Sequence, residues 1–148
     1  MDIQIKVLGT NQLEEFKQLV AVFEKVFEMK NFSLPKEKHL QQLLNKDNFF
    51  PVVALKEHEI VGGLTVYVLD QYYSEKPLAY IFDLAILEEH QRKGIGKQLI
   101  NFTKNHCRAL GYEEVFVQAD RVDHHAVNFY RSTQPTEEED VLHFYYTL

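Results

Sequence analysis

The 148-residue chain is 45% apolar and 26% charged, values of an ordinary globular domain, which exclude a disordered or fibrous polypeptide and fit one domain over 1–148. Its formal net charge of −6 opposes general binding to a nucleic-acid backbone, which needs clustered Lys and Arg, and favours a cationic partner. Its single cysteine, Cys107, permits neither an intrachain disulfide nor a cysteine-built zinc cage.

In chain order, Met1 to Lys6 has no basic region followed by an apolar run, and no apolar stretch approaches the roughly 20 residues needed to span a bilayer. The expectation is a cytoplasmic protein with no membrane association. A short apolar strand is predicted over Ile3 to Leu8. Asn11 and Glu14 then read as a capping box before Leu13, Phe16, Leu19, Val20, Phe23, Val26 and Phe27, which recur at helical spacing. A second helix is predicted to start near Pro35, with Leu40, Leu43 and Leu44 on one face.

From Phe49 the chain changes to β-prone runs, Phe50 to Leu55, Ile60 to Leu69 and Leu78 to Leu87, which predict consecutive antiparallel strands. Lys56-Glu57-His58-Glu59 suits a hairpin, and Gly62 with Gly63 suggests a bulge. A helix is predicted from Gly94 to Leu110 with a stop at Gly111, followed by a strand at Glu113 to Ala119 that returns in parallel. A short helix from Asp123 to Tyr130 and a last strand, Val141 to Tyr146, complete a mixed α+β sheet.

The segment Gln91-Arg92-Lys93-Gly94-Ile95-Gly96 lies directly between a predicted strand and a predicted helix. Such a loop points backbone N–H groups at one spot where the helix dipole favours negative charge, which suits a pyrophosphate. Gly94 and Gly96 admit close approach of the ligand, and Arg92 and Lys93 add charge. Read without its context, the same segment is only a charged strand-to-helix turn. Rival nucleotide motifs fail: a Walker loop needs glycine where Gln91 stands and Ser or Thr where Gln98 stands, and the Rossmann fingerprint needs glycine at Leu99.

Asp83 is the one charged residue in the apolar run from Leu78 to Leu87, and an unpaired buried carboxylate is costly. It reads either as a general base or ammonium anchor, or as a strand-end residue that caps a loop. Asp120, at the end of the next strand, is the reserve base. His124 and His125 are adjacent and so diverge on a helix, with no Cys or carboxylate completing a metal-ligand spacing; no metal is expected. Cys107 has no clear thiolate-stabilising neighbour and reads as a buried inert thiol. Glu137 to Asp140 is a solvated charged loop by default, or an acidic rim together with Asp120 and Asp123.

The segment from Gln91 to Gly96 matches the coenzyme motif of the GCN5-related N-acetyltransferases (GNAT superfamily), namely Gln or Arg, two residues, Gly, one residue, then Gly or Ala. It follows a strand ending in Asp83-Leu84-Ala85-Ile86, as that family's motif does. Within the superfamily, Tyr80 to Ile86, Gln118-Ala119-Asp120, Ala126 to Tyr130 and His143-Phe144 are similar to the aminoglycoside (gentamicin) 3-N-acetyltransferases. The chain departs from that pattern after Tyr130, where Arg131-Ser132-Thr133-Gln134-Pro135 replaces a Lys-Leu-Gly-Phe-like turn.

The resemblance implies a GNAT-like, mostly antiparallel central sheet flanked by helices, with acetyl-CoA as co-substrate and a small cationic amine as acceptor. An aminoglycoside acetylated at its 3-N position leads, which would link the chain to antibiotic resistance. It implies that the backbone of Leu84, Ala85 and Ile86 pairs with the pantetheine arm while Gln91, Arg92, Lys93, Gly94, Ile95 and Gly96 hold the pyrophosphate. Tyr130 would protonate the departing thiolate, and Asn128 would hydrogen-bond the pantetheine. Asp83, Asp120 and Asp123 would meet the amine. Acetylation of a polyamine, a small metabolite, or a protein lysine or N-terminus is the alternative, and a non-catalytic acyl-CoA-binding module is the reading from another class. A homodimer is compatible with all of these.

Overall fold

The computed structural model describes residues 2–148. They form two compact units, one ending at Gln118 and the other Ala119–Leu148. In the first, β1 (Ile3–Val7), α1 (Leu13–Val26), α2 (Glu37–Leu44), β2 (Phe49–Lys56), β3 (Glu59–Leu69), β4 (Leu78–Ile86), a 3-10 turn (Glu88–His90), α3 (Ile95–Ala109) and β5 (Glu114–Val117) follow in order. The second holds α4 (His124–Ser132).

The five strands lie in the order β1-β2-β3-β4-β5. The first three pairings are antiparallel and β4 with β5 is parallel, as expected for two strands joined by a crossover helix. Successive strand residues face opposite ways, and neighbours in β2 show which helix covers which side. The Phe49 ring packs 5.8 Å from Phe16 of α1, whereas the Phe50 ring packs 5.4 Å from His106 of α3. Helices α1 and α3 therefore cover opposite faces. On the α1 side, Phe16, Leu19, Val22 and Phe23 join Leu40, Leu44, Phe49, Val53 and Leu55 in a continuous core. On α3 the buried side is Ile95, Leu99, Ile100, Thr103 and Cys107, the helical spacing that the sequence displays.

The hairpin between β2 and β3 turns at Glu57 and His58, whose φ values of 51° and 70° match the left-handed pair of a type I′ turn. A bulge does occur beside Gly62, where Ala54 pairs with Gly62 and Leu55 with Ile60, leaving Val61 as the extra residue. The two glycines serve a further purpose. A Cβ on Gly63 would lie 2.6 Å from Leu19 Cδ1 and 2.6 Å from the Val52 carbonyl oxygen, and one on Gly62 would lie 2.8 Å from the Ala85 carbonyl oxygen. They let α1 and β4 close on β3.

Two expectations fail. The capping box of Asn11 and Glu14 does not form: α1 starts after Gln12, and no side chain caps its first turn. Gln12 Oε1 instead accepts the backward Gly9 N–H at 2.7 Å, and Glu14 meets Lys17. The strand expected at Val141 to Tyr146 is also absent, because β-propensity yields a strand only where a ladder partner is available. Residues 133–148 form no ladder, and Leu142, Phe144, Tyr145 and Tyr146 are exposed. Among the described residues no helix is long and apolar enough to cross a membrane.

Candidate active site

The pairing of β4 with β5 stops at Ile81 opposite Val117, while its pairing with β3 continues to Ile86 opposite Gly62. From Phe82 to Ile86 one edge of β4 therefore belongs to no ladder among the described residues. Unpaired strand N–H and C=O groups are a template for an extended ligand. Alternate residues present their N–H and C=O groups to opposite edges, so Leu84 and Ile86 face this open edge, whereas the Ala85 carbonyl faces β3.

A second irregularity sits at the same point. Leu64 pairs with Leu84 and Val66 with Ile81, so Phe82 and Asp83 together oppose Thr65. This is a β-bulge in β4, a device that re-aims side chains. Its effect shows in the phase of the strand: the Phe82 ring lies 5.7 Å from Tyr67, whose ring lies 5.1 Å from Phe49 on the α1 side, and Ala85 joins the same α1-side core. Residues three apart share a face only because the bulge has shifted the alternation. Asp83 is half-buried at this shift, and burial holds its carboxyl above the usual aspartate range.

Tyr67 stands beside Asp83, a neighbour that the sequence pattern does not single out. Burial and then the neighbouring Asp83 charge raise its phenol above the ordinary tyrosine value, so Tyr67 stays protonated at neutral pH next to that carboxylate. The signal was present in the sequence only as one more aromatic in an alternating strand.

After β4, the Gln91 side chain turns back, and its Nε2 donates to the Ile86 carbonyl at 2.8 Å. The amide thus ties the loop to the strand end, a positioning role that its place in the motif did not reveal. Arg92 (φ 61°) and Gly94 (φ 83°) both adopt the left-handed conformation around Lys93, and Gly94 is the residue before the first turn of α3. Alternation of this kind makes a concave array of N–H groups, here continued by the free N–H groups of a helix start. Arg92 and Lys93 are exposed and form no ion pair among the described residues, Ile95 and Gly96 are buried, and the first turn of α3 has no acidic residue. The site is thus electropositive by backbone and by side chain.

A Cβ on Gly94 would meet nothing within 4 Å, so the glycine is required for its backbone angle rather than for space in the unliganded fold. Cys107 is buried on α3, and burial pushes its thiol up to about 11, which leaves it protonated and inert at neutral pH.

Within the second unit, Asp123 caps α4, its Oδ1 accepting the Ala126 N–H at 3.0 Å. The Asp120 carbonyl accepts the Asp123 N–H at 3.0 Å. Asn128 is exposed, and Tyr130 is half-buried with its ring 5.0 Å from Phe129. The acidic run is partly neutralised: Glu138 takes a bidentate pair from Arg131, at 2.8 Å to Nη2 and 3.0 Å to Nε, and Asp140 pairs with Arg121. His124 and His125 are exposed, and no cluster of three metal-ligating groups occurs among the described residues.

A strand that loses its neighbour at a bulge, followed by an N–H-lined helix start, is the framework of one class of enzyme, and the profile of the acetyltransferase (GNAT) family matches residues 14–133. The chain belongs to this family. Its structure superposes with a TM-score of 0.97 on the aminoglycoside acetyltransferase meta-AAC0020 from an uncultured soil metagenomic sample, at 62% identity over 99% of this chain and 96% of the other in a complex with trehalose. The same neighbour in complex with sisomicin aligns at 61% identity, again with a TM-score of 0.97 and the same coverage. HMB0005, also an aminoglycoside acetyltransferase from soil metagenomic DNA, is 35% identical with a TM-score of 0.91 over 100% of this chain and 99% of its own. The histone acetyltransferase GCN5 of Debaryomyces hansenii is 22% identical over 129 residues, 87% of this chain, which spans only 27% of the length of that protein.

Proposed function

We propose that this acetyltransferase moves an acetyl group from acetyl-CoA directly to an amine of an aminoglycoside, at the 3-N position, and that the whole chain acts as one catalytic domain. The observation that carries the coenzyme part is the continuity of the unpaired β4 edge, Phe82 to Ile86, with the N–H-lined loop at the start of α3. An extended pantetheine arm can add to that edge as a strand would, and a pyrophosphate fits the electropositive loop. Gln91 holds the two halves in register through Ile86. The acceptor part is supported by the 62% and 61% likeness to meta-AAC0020, whose crystal forms include a sisomicin complex, and by net acidity. The 3-N position is supported by the motif residues from Tyr80 to Ile86 and from Ala126 to Tyr130.

In the reaction the amine nitrogen attacks the thioester carbonyl carbon, forming the C–N bond. A β4 backbone N–H stabilises the oxyanion that develops, since a donor fixed in a strand needs no reorganisation. Collapse breaks the C–S bond, the amine proton passes to Asp83, and the thiolate takes a proton from Tyr130. Asp120 and Asp123 complete the acceptor assignment and Asn128 the pantetheine assignment. Asp123 contributes through its backbone-fixed carboxylate, one oxygen of which is already engaged by Ala126. No covalent acetyl-enzyme forms, because the one thiol is buried and protonated.

The test is to incubate the protein with acetyl-CoA and a panel of aminoglycosides, polyamines and lysine peptides, follow free CoA, and assign the modified nitrogen by NMR. The expected result is one CoA released per 3-N-acetylated aminoglycoside. Turnover with peptides or polyamines alone moves the acceptor assignment, and binding of acetyl-CoA without any turnover leaves a non-catalytic module.

A further inference from the structure

The transfer chemistry does not use the aromatic face beside Asp83. On the α1 side of the sheet a row of rings runs from Phe16 and Phe49, both buried, to Tyr67, Phe82, Tyr80 and Phe116. Tyr67 and Phe82 meet edge to face at 5.7 Å, Phe82 and Tyr80 edge to face at 5.9 Å, and Tyr80 stacks on Phe116 at 4.7 Å. The Tyr80 hydroxyl lies 3.0 Å from Gln118 Oε1 and donates to it, which fixes the outer end of the row. The inner end is fixed by the core. Between them Phe82 is 55% exposed and Tyr67 is 37% exposed.

A single exposed aromatic needs no explanation, but these two are held rigidly by rings on either side and stand where the bulge delivers a carboxylate. Rigid rings can bind with little loss of side-chain freedom. Their faces attract cations and the C–H faces of saturated rings, and Asp83 attracts ammonium groups. A linear polyamine satisfies the carboxylate alone, and a neutral sugar satisfies the rings alone. An amino-substituted sugar or cyclitol ring satisfies both.

We propose that Tyr67 and Phe82 form a stacking platform beside Asp83 that selects acceptors built on a rigid, ammonium-bearing saturated ring. The platform rests on the acetyltransferase reading above and adds the residues that set acceptor choice. Tyr67 and Phe82 are specificity residues here, and the proton transfers stay with Asp83 and Tyr130.

The experiment compares Phe82→Leu and Phe82→Tyr with the parent, using one aminoglycoside and spermidine as probes, by steady-state kinetics and by calorimetric titration. Phe82 is exposed, so Leu keeps apolar bulk without opening the core; a circular dichroism spectrum and melting temperature matching the parent verify the fold. Phe82→Leu is expected to raise the aminoglycoside KM and Kd by about fivefold to tenfold and leave the spermidine values unchanged, with Phe82→Tyr restoring parental behaviour. Equal effects on both probes, or none on either, would overturn the platform. If the parent acetylates no amine, the transferase reading fails by itself and the titration still decides: a ring-dependent loss of aminoglycoside affinity upholds the platform. Equal Kd values in parent and variant, or no aminoglycoside binding by the parent, refute it.

Discussion

Residues 82–96 and residues 119–148 carry their candidate functional groups in different ways. In the first stretch the chemistry lies in the main chain: a strand edge without a partner, a bulge, two left-handed residues and a helix start. In the second it lies in side chains on a single helix and a segment with no ladder, and several of those side chains are already engaged with one another. The contrast is that the proposed coenzyme site is built from main-chain geometry, whereas the proposed acceptor chemistry rests on individual side chains. Substitutions should follow the same division, with side-chain replacements acting on kcat or on the amine, and backbone-directed ones acting on the coenzyme.

The largest effect is expected at Asp83, the side chain of the first stretch proposed as general base. Asp83→Asn should lower kcat/KM for the amine by at least about 10²-fold, the scale of a lost general base. The parent should lose activity as pH falls through the raised Asp83 pKa, and the variant should lack that acidic limb. Stability should move the other way. Because the folded pKa lies above the unfolded one, the parent is most stable, relative to the variant, when Asp83 is protonated in both states, and it loses stability as pH rises through the folded value. Asp83→Asn should therefore melt higher than the parent at neutral pH, with the difference vanishing in acid. A variant that is inactive and also less stable at neutral pH would argue for a structural carboxylate.

Tyr130→Phe comes next, with kcat reduced on the order of 10²-fold and acetyl-CoA affinity unchanged, as for loss of a positioned acid. Single-turnover rates check this. Full activity in the variant would return Tyr130 to a packing role. For Gly94→Val, coenzyme Kd should rise by about tenfold or more, because a β-branched residue is strained at a φ of 83° and disturbs the N–H array. Unchanged Kd in a folded variant would remove the loop from the coenzyme site.

The smallest effects sharpen the comparison from the other side. Glu138→Gln should change the amine KM by less than about twofold, since its charge is already answered by Arg131 in an exposed pair. Cys107→Ala should keep kcat, consistent with a thiol held near 11. An acetylated enzyme isolated without amine would contradict direct transfer.

The strand-to-helix geometry of the proposed coenzyme half was legible in the sequence because its signals are local: the switch from β-prone residues to helical spacing brackets Gln91 to Gly96, and glycine marks a left-handed position. The left-handed Arg92 was not legible, since any residue can be forced there by its neighbours. Nor was the partnership of Asp83 with Tyr67 legible, because alternation along a strand assigns faces only until a bulge shifts the phase, and Phe82 with Asp83 is that shift. Asn11 with Glu14 matched a capping pattern, yet Gln12 bonded backwards to Gly9 and the box was lost. Val141 to Tyr146 has strand composition without a ladder, a reminder that strand formation is a property of pairs.

Hydrogen exchange at the backbone amides, with and without acetyl-CoA, tests most directly whether the β4 edge and the α3 start hold the coenzyme. With the β1–β2 ladder and the β3-facing Ala85 amide unchanged, slowed exchange is predicted at Leu84 and Ile86, whose amides face the open edge, and at Gly94, Ile95 and Gly96. Saturating acetyl-CoA that leaves those amides as they were, while protecting others, would contradict the account.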